Sequence, residues 1–247
     1  MGPVTGVVFR PQSPPEELRA VVELADEAGV AELWLWEDCF LEGGLTTATA
    51  ALAWSSRPTV GIGLLPVPLR NPALAAMEIA TVARLFPDRL VVTLGHGVQE
   101  WMAQIGAAVE SPMTLLREHT SAVRSLLAGR TVDVSGRYVQ LDRVALDWPP
   151  PVPPRLLVGA RGPKSIALAG EVADGVLLDS VADAGVVRRA RELVGPDSHI
   201  AAYTELVDPS RVTDWIAELG AAGADTVILQ ATGDAPDARP LIEALAR

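Results

Sequence analysis

Cysteine is nearly absent: the chain of 247 residues carries only Cys39. That excludes an internal disulfide and leads us to expect a reducing, cytoplasmic setting. Histidine is also scarce. His96, His119 and His199 stand far apart with no carboxylate cluster beside them, so no metal-ligand spacing is present and no metal is expected. Basic charge is in deficit, with 20 Lys and Arg against 31 Asp and Glu and a formal net charge of −11. Nucleic-acid binding needs clustered cations to neutralise phosphates, so no such partner is expected, although a local basic pocket for a phosphorylated cofactor remains compatible. No apolar run approaches the ~20 residues of a membrane helix. The opening MGPVTGVVFRPQSPPEE has no basic region followed by an apolar stretch. Neither membrane association nor a secretory leader is therefore expected. The Gly-x-Ser-x-Gly elbow of serine hydrolases is missing. There is no repeat of fixed period and no low-complexity tail.

What the chain does have is a rhythm. About half of it is hydrophobic, 49 %, and short β-branched runs alternate with longer amphipathic stretches. Thr5–Phe9 reads as a strand. Ser13–Gly29 reads as a helix, with Ser13 as cap, Gly29 as stop, and Leu18, Val21, Val22 and Ala25 on one face. Further strands are predicted at Glu32–Asp38, Thr59–Leu65, Arg89–Gly95, Arg155–Val158, Gly175–Leu178, Ile200–Leu206 and Thr226–Leu229. Helices are predicted at Thr46–Ser55, Pro72–Leu85, Met113–Leu127, Pro163–Glu171, Ala182–Val194, Ser210–Ala222 and Pro236–Ala246. Gly129–Leu146 breaks the alternation: Ser135-Gly136 between two alternating segments predicts a hairpin. The proline-rich Asp147–Pro154 predicts an extended connector.

Eight strand–helix pairs joined by right-handed crossovers point to an α/β fold, a closed (β/α)8 TIM barrel. The hairpin and proline connector form an insertion between its fourth helix and fifth strand, within one domain over residues 1–247. An open doubly wound sheet is the competing layout. Against it, Arg10-Pro11-Gln12 stands where that fold usually carries a glycine-rich fingerprint.

A barrel places its chemistry just after the strands. The candidates are then Arg10, Asp38 and Cys39, Pro66 to Asn71, His96 to Glu100, Ala160 to Lys164, Asp179 and Ser180, Glu205, and Gln230 to Asp234. In Gly159-Ala160-Arg161-Gly162-Pro163-Lys164, two glycines let the backbone approach a bulky anion. A helix starting near Pro163 offers free amides and its dipole to a phosphate, and Arg161 and Lys164 add charge. The alternative is a tight turn with two solvated cations. His96, between Gly95 and Gly97, suits proton transfer near neutral pH, or it simply caps a loop. Gly61 and Gly63, flanking Ile62 within a strand, mean either a ligand packed close or relief of crowding inside the barrel. Asp38 orients a ring or moves a proton, or else caps the next segment. Cys39 as a nucleophile lacks an activating base. Trp34, Trp36 and Trp54 read as core and Trp101 as the more exposed stacking candidate. His119 reads as a helix-surface residue and His199 as a residue preceding a strand.

Two stretches carry a resemblance. RPTVGIGLLPVPLRNPALAAMEIATVARLFPDRLVVTLGHG (Arg57–Gly97) and PRLLVGARGPKSIALAGEVADGVLLD (Pro154–Asp179) resemble the luciferase-like monooxygenase superfamily in motif order and spacing. With the hairpin between them they cover about half the chain. The resemblance implies a (β/α)8 barrel that binds the deazaflavin coenzyme F420 or, alternatively, FMN, with the ring in the barrel mouth and the phosphate over the later strands. It places Arg161, Gly162 and Pro163 in the phosphate turn, flanked by Gly159, Ala160 and Lys164. It places Gly61, Ile62 and Gly63 in the strand where many deazaflavin-dependent members carry a non-proline cis peptide. Gly95, His96 and Gly97 match the turn near the ring's polar edge.

The chain departs from the pattern where many members have Asp-His after strand two, since here the pair is Asp38-Cys39. It departs again where some carry a glutamate after the strand-four turn, since here that residue is Val98, with Glu100 two residues on. His96, Asp38 and Glu100 are thus the catalytic candidates. The implied activity is hydride transfer between a deazaflavin and a small organic substrate. Alternatives are FMN-dependent oxygen insertion, a flavin carrier without turnover, and a barrel binding a phosphorylated substrate at Gly159–Lys164 with Asp38 and Glu205 transferring protons. Apolar helix faces permit a homodimer without requiring one.

Overall fold

Residues 2–205, 209–232 and 236–246 are described by a computed structural model. In chain order the elements begin with β1 (Val4–Phe9), α1 (Leu18–Glu27), β2 (Glu32–Leu35), α2 (Gly44–Trp54), β3 (Thr59–Pro66) and α3 (Pro72–Leu85). They continue with β4 (Leu90–Gly95), α4 (Gln99–Gln104), α5 (Pro112–Leu127), and the antiparallel pair β5 (Val132–Ser135) and β6 (Gln140–Val144). The second half holds β7 (Arg155–Ala160), α6 (Pro163–Val172), β8 (Gly175–Leu178), α7 (Ala184–Val194), β9 (His199–Glu205), α8 (Val212–Ala221), β10 (Thr226–Gln230) and α9 (Arg239–Leu245). Eight strands close into a barrel in the order β1-β2-β3-β4-β7-β8-β9-β10, and every neighbouring pair is parallel. The expected TIM barrel is therefore present.

Strand alternation divides the core into two layers. Inward-facing Val8, Trp34, Val91, Leu157, Leu177, Ala201, Tyr203 and Ile228 fill the barrel. Their neighbours face outward into a larger layer beneath the helices, which includes Ile62, Leu94 and Val158. Trp34 dominates the interior. Its indole N–H donates to Glu32 Oε2 at 2.8 Å, and a Cβ on Gly61 would lie 2.4 Å from its ring. At Gly61 the glycine is thus relief of crowding by a tryptophan.

The hairpin forms as expected and docks on α5. Glu118 accepts from the amides of Arg137 (2.8 Å), Tyr138 (2.8 Å) and Val139 (3.0 Å), which holds its carboxyl below the ordinary range.

Several expectations are corrected. Ser13 caps nothing: Pro14 occupies the cap position and the segment opens as a 3-10 turn, Pro15–Glu17, before α1. β2 stops at Leu35 rather than Asp38, because the Glu37 side chain turns toward Arg70 and α2. The short helix α4 has no counterpart in the sequence expectations. Trp54 is 38 % exposed, with Arg19 lying 5.8 Å from its ring, so it is not core. The predicted strand end at Leu206 lies outside the described residues.

His119 is corrected as well. It is buried on the α5 stripe formed by Leu115, Leu116 and Val123, not on the surface. Its Nε2 lies 3.1 Å from the Arg70 carbonyl oxygen, and burial, aided by the nearby Arg70 charge, lowers its pKa to about 4. An unfolded chain takes up this proton near pH 6.5. Between that pH and about 4 the unfolded state therefore binds a proton that the folded state refuses, and stability falls as pH drops. The full contribution is roughly 3 kcal/mol. In urea unfolding, His119→Gln, which keeps a donor for the Arg70 carbonyl, is expected to lose distinctly less stability between pH 7 and pH 4.5 than the parent. Parallel losses in the two proteins would contradict the assignment.

Candidate active site

At the carboxyl end of the barrel a cavity of about 660 Å³ opens over β2, β3, β4, β7, β8 and β9. On the β2 side the chain leaves the sheet at Trp36, Glu37 and Asp38. Glu37 is buried and accepts from Arg70 Nη1 at 2.5 Å, Arg70 Nη2 at 2.8 Å and the Gly44 amide at 2.7 Å. Arg70 Nε also lies 3.2 Å from Glu78. One carboxylate thus pins the β2 exit to the start of α2 and to the segment before α3. Next to it, burial pushes the Asp38 carboxyl above its ordinary range, partly opposed by the Arg10 charge and a Gln12 hydrogen bond. Arg10 lies 5.1 Å from the Trp36 ring and donates to the Ala231 carbonyl at 3.1 Å.

The floor joins β3 to β9. The Tyr203 hydroxyl donates to the Gly63 carbonyl at 3.1 Å, and complete burial keeps it protonated far above the ordinary tyrosine range. A Cβ on Gly63 would sit 2.2 Å from that hydroxyl. The Gly63–Leu64 peptide is cis, as is Cys39–Phe40, and the β3–β4 register shifts between Ile62 and Leu65. Leu64 Cδ2 occupies the space a side chain would need at Gly95 (2.5 Å) and at Gly159 (2.4 Å). These two glycines therefore admit a leucine.

After β4, Gly97 adopts a φ of +69°, a conformation that favours glycine. Gln99 Nε2 ties the turn by donating to the carbonyls of His96 and Gly97, each at 3.3 Å. Burial lowers the His96 pKa, against the opposing pull of the Pro112 backbone and the Asp179 charge, so the imidazole is neutral at pH 7. After β7, α6 begins at Pro163 with Gly162 as its cap residue and no side-chain cap. The amides of Lys164 and Ser165 in its first turn have no partner within the helix. Open space surrounds Gly162, where a Cβ would meet only Ser165 Oγ at 3.9 Å. Arg161 Nε donates to Asp179 Oδ1 at 2.9 Å and its Nη2 to the Asp179 carbonyl at 3.2 Å. Burial raises the Asp179 pKa against the pull of Arg161. Lys164 is the only lysine in the chain.

A family model described as luciferase-like monooxygenase matches residues 4–196. The chain belongs to this family. Among the luciferase-like relatives, a 5,10-methylenetetrahydromethanopterin reductase of Methanolobus tindarius is 28 % identical over 175 residues, covering 71 % of this chain and 53 % of the relative. An F420-dependent glucose-6-phosphate dehydrogenase of Beutenbergia cavernae is 31 % identical over 183 residues, covering 68 % and 54 %. The chain thus spans about half the length of these curated relatives. The solved coenzyme F420-dependent tetrahydromethanopterin reductase of Methanopyrus kandleri superposes with a TM-score of 0.84 at 18 % identity, covering 100 % of this chain and 98 % of that one, a likeness of fold.

Within this luciferase-like barrel, His96, Asp38, Gly63, Gly97 and the Gly159–Gly162 turn converge on the one cavity. Pro163 and Lys164 adjoin it at the α6 turn without lining it, and Gly61, Ile62 and Gly95 lie in the strands below. Glu100 is exposed on α4, off the lining. Gly233 and Asp234 fall outside the described residues. Among the described residues no group of three or more His, Cys, Asp or Glu is placed to hold a metal, and no helix is long and apolar enough to cross a membrane.

Sequence reasoning missed Tyr203, Leu64 and the Glu37–Arg70 pair. Period-two alternation in β9 offered a signal for Tyr203, since inward positions 201 and 203 carry a small and a large residue. No local signal joins residues 37 and 70, which meet only through the fold.

Proposed function

We propose that this chain binds the deazaflavin coenzyme F420 across the barrel mouth and catalyses hydride transfer between it and a small organic substrate. The observation that carries the reading is the β7–α6 turn. Uncapped helix amides, open space at Gly162 and the chain's only lysine meet at one end of a cavity large enough for a ring system. The donor set fits a phosphate. The F420-dependent relative supports deazaflavin over FMN.

When bound, the coenzyme supplies the hydride donor or acceptor. The protein's own groups do the rest. The Lys164 and Ser165 amides, with the Lys164 ammonium beside them, would hold the phosphate, and Arg161, braced by Asp179, would add charge at the rim. Leu64, held over Gly95 and Gly159, and Trp36 and Trp101 exclude water from the lining. His96, neutral at pH 7, takes or returns a proton at its imidazole, and Asp38 faces the same space from β2.

The test is titration with F420 and, separately, FMN, following fluorescence quenching, together with amine acylation read by peptide mass spectrometry. Saturable quenching by F420 and protection of Lys164 from acylation are expected. Arg161→Gln should weaken F420 binding about 10- to 100-fold, the worth of one charge-assisted phosphate contact, yet weaken binding of the phosphate-free ring compound less than about twofold. Quenching by neither cofactor, or unprotected Lys164, defeats the reading. Quenching by FMN alone moves it to the flavin branch.

A further inference from the structure

The charges on the cavity wall do not add up to a site for a second anion. Among the described residues Arg161 is the only lysine or arginine on the lining, and it is committed to Asp179 through two hydrogen bonds and, in the reading above, to the cofactor phosphate at the α6 turn. Three carboxylates line the same space: Glu37, Asp38 and Asp179. Glu37 is matched by Arg70 at 2.5 and 2.8 Å. Arg10, the cation that acts on Asp38, is off the lining, stacked 5.1 Å from the Trp36 ring and bonded to the Ala231 carbonyl. Residues 206–208 and 233–235, outside the described set, include no lysine or arginine.

Strand order separates the two ends of the cavity: the β2 exit lies three strands from β7 around the ring. Away from the α6 turn, the apolar side chains of Trp36, Leu64, Val98 and Trp101 line the cavity beside Glu37, Asp38, His96 and Gln99, and Phe40 is 63 % exposed just beyond the β2 exit.

From this we infer that the substrate is a neutral, largely apolar molecule, neither phosphorylated nor carboxylated. The inference rests on the functional reading above, in which a cofactor phosphate takes the α6 turn. Once that turn is filled, a second phosphate would meet Asp38 and aromatic rings with no unpaired cation, and a desolvated charge without a partner is strongly disfavoured. Glucose 6-phosphate, which the Beutenbergia relative is named for, is a molecule this wall would reject.

The experiment uses a matched pair, 1-naphthol and 1-naphthyl phosphate, which share a ring system and differ by the phosphoryl group. The protein is first loaded with F420, with uptake verified by quenching. Each probe is then titrated calorimetrically. 1-Naphthol is expected to bind at least tenfold more tightly. Val98→Arg places a cation on the apolar wall at a residue 41 % exposed, and should shrink the ratio below about threefold by strengthening 1-naphthyl phosphate binding. Equal or tighter binding of the phosphate by the parent, no binding of 1-naphthol, or an unchanged ratio in Val98→Arg overturns the inference. Failure of F420 uptake in the first step overturns the functional reading and this inference with it. Uptake followed by phosphate preference overturns the substrate class alone.

Discussion

His96→Ala is expected to lower turnover by about 10²- to 10⁴-fold, the usual worth of a positioned proton donor or acceptor, while F420 affinity changes less than about threefold. The imidazole sits on the cavity wall at the end of β4, held by a turn that Gly97 and Gln99 fix. Burial lowers its pKa below the ordinary histidine value. As a proton acceptor it loses activity only when pH falls through that lowered pKa. The parent should therefore show an acidic limb below pH 6.5 that is absent from His96→Ala. Asp38, whose pKa is raised, titrates on the same wall, so the diagnostic quantity is the limb that disappears, not the profile as a whole. His96→Gln keeps a polar side chain of similar reach and should not restore the limb. A purely structural histidine would lower turnover without changing the shape of the pH profile, and that result would remove His96 from the mechanism.

Glu37→Ala is expected to destabilise the protein by about 3–5 kcal/mol, because it leaves the Arg70 guanidinium half-buried without its main partner. In a chain of this size that lowers the melting temperature by roughly 10 °C. Glu37 is nearly inaccessible and also satisfies the Gly44 amide at the start of α2, so the loss frees three donors together, Arg70 Nη1, Arg70 Nη2 and the Gly44 amide. Glu78 remains near Arg70 Nε and softens the effect. Arg70→Ala in the Glu37→Ala background removes the orphaned charge and should recover part of the loss, giving a coupling energy that a double-mutant cycle measures. A Glu37→Ala cost below 1 kcal/mol would show that the pair behaves as an exposed ion pair. The same substitution should disturb the neighbouring Asp38 and so weaken cofactor binding, which ties the stability of the β2 exit to the function of the cavity.

The glycines show how far local reading reaches. Gly61 and Gly63 stood out in the sequence as either a close approach of ligand or relief of crowding, and Gly159 as a place for an anion to approach, but at these positions and at Gly95 the space is taken by the protein's own side chains. At Gly61 it is the Trp34 ring, at Gly63 the Tyr203 hydroxyl, and at Gly95 and Gly159 the Leu64 side chain. Which group fills each gap depends on residues from other strands, and no window around a glycine contains it. Arg161 behaves likewise. Its position after β7 and before a helix is legible in the chain, whereas its pairing with Asp179 requires β7 and β8 to lie side by side. His119 lay on the apolar stripe of a helix whose periodicity was readable, and its polarity hid that.

The barrel, the hairpin insertion, the family and the glycine-rich turn between β7 and α6 were legible in the sequence alone. These follow from short-range patterns: hydrophobic period, proline and glycine placement, and motif spacing. The closed barrel alone settles which residues share the cavity, that Glu37 is held by Arg70, that Tyr203 supports Gly63, and that among the described residues the lining carries no unpaired lysine or arginine. Those are pairings between strands and loops distant in the chain. Their energies depend on burial and on which opposite charge is within reach, quantities that exist only once eight strands have closed.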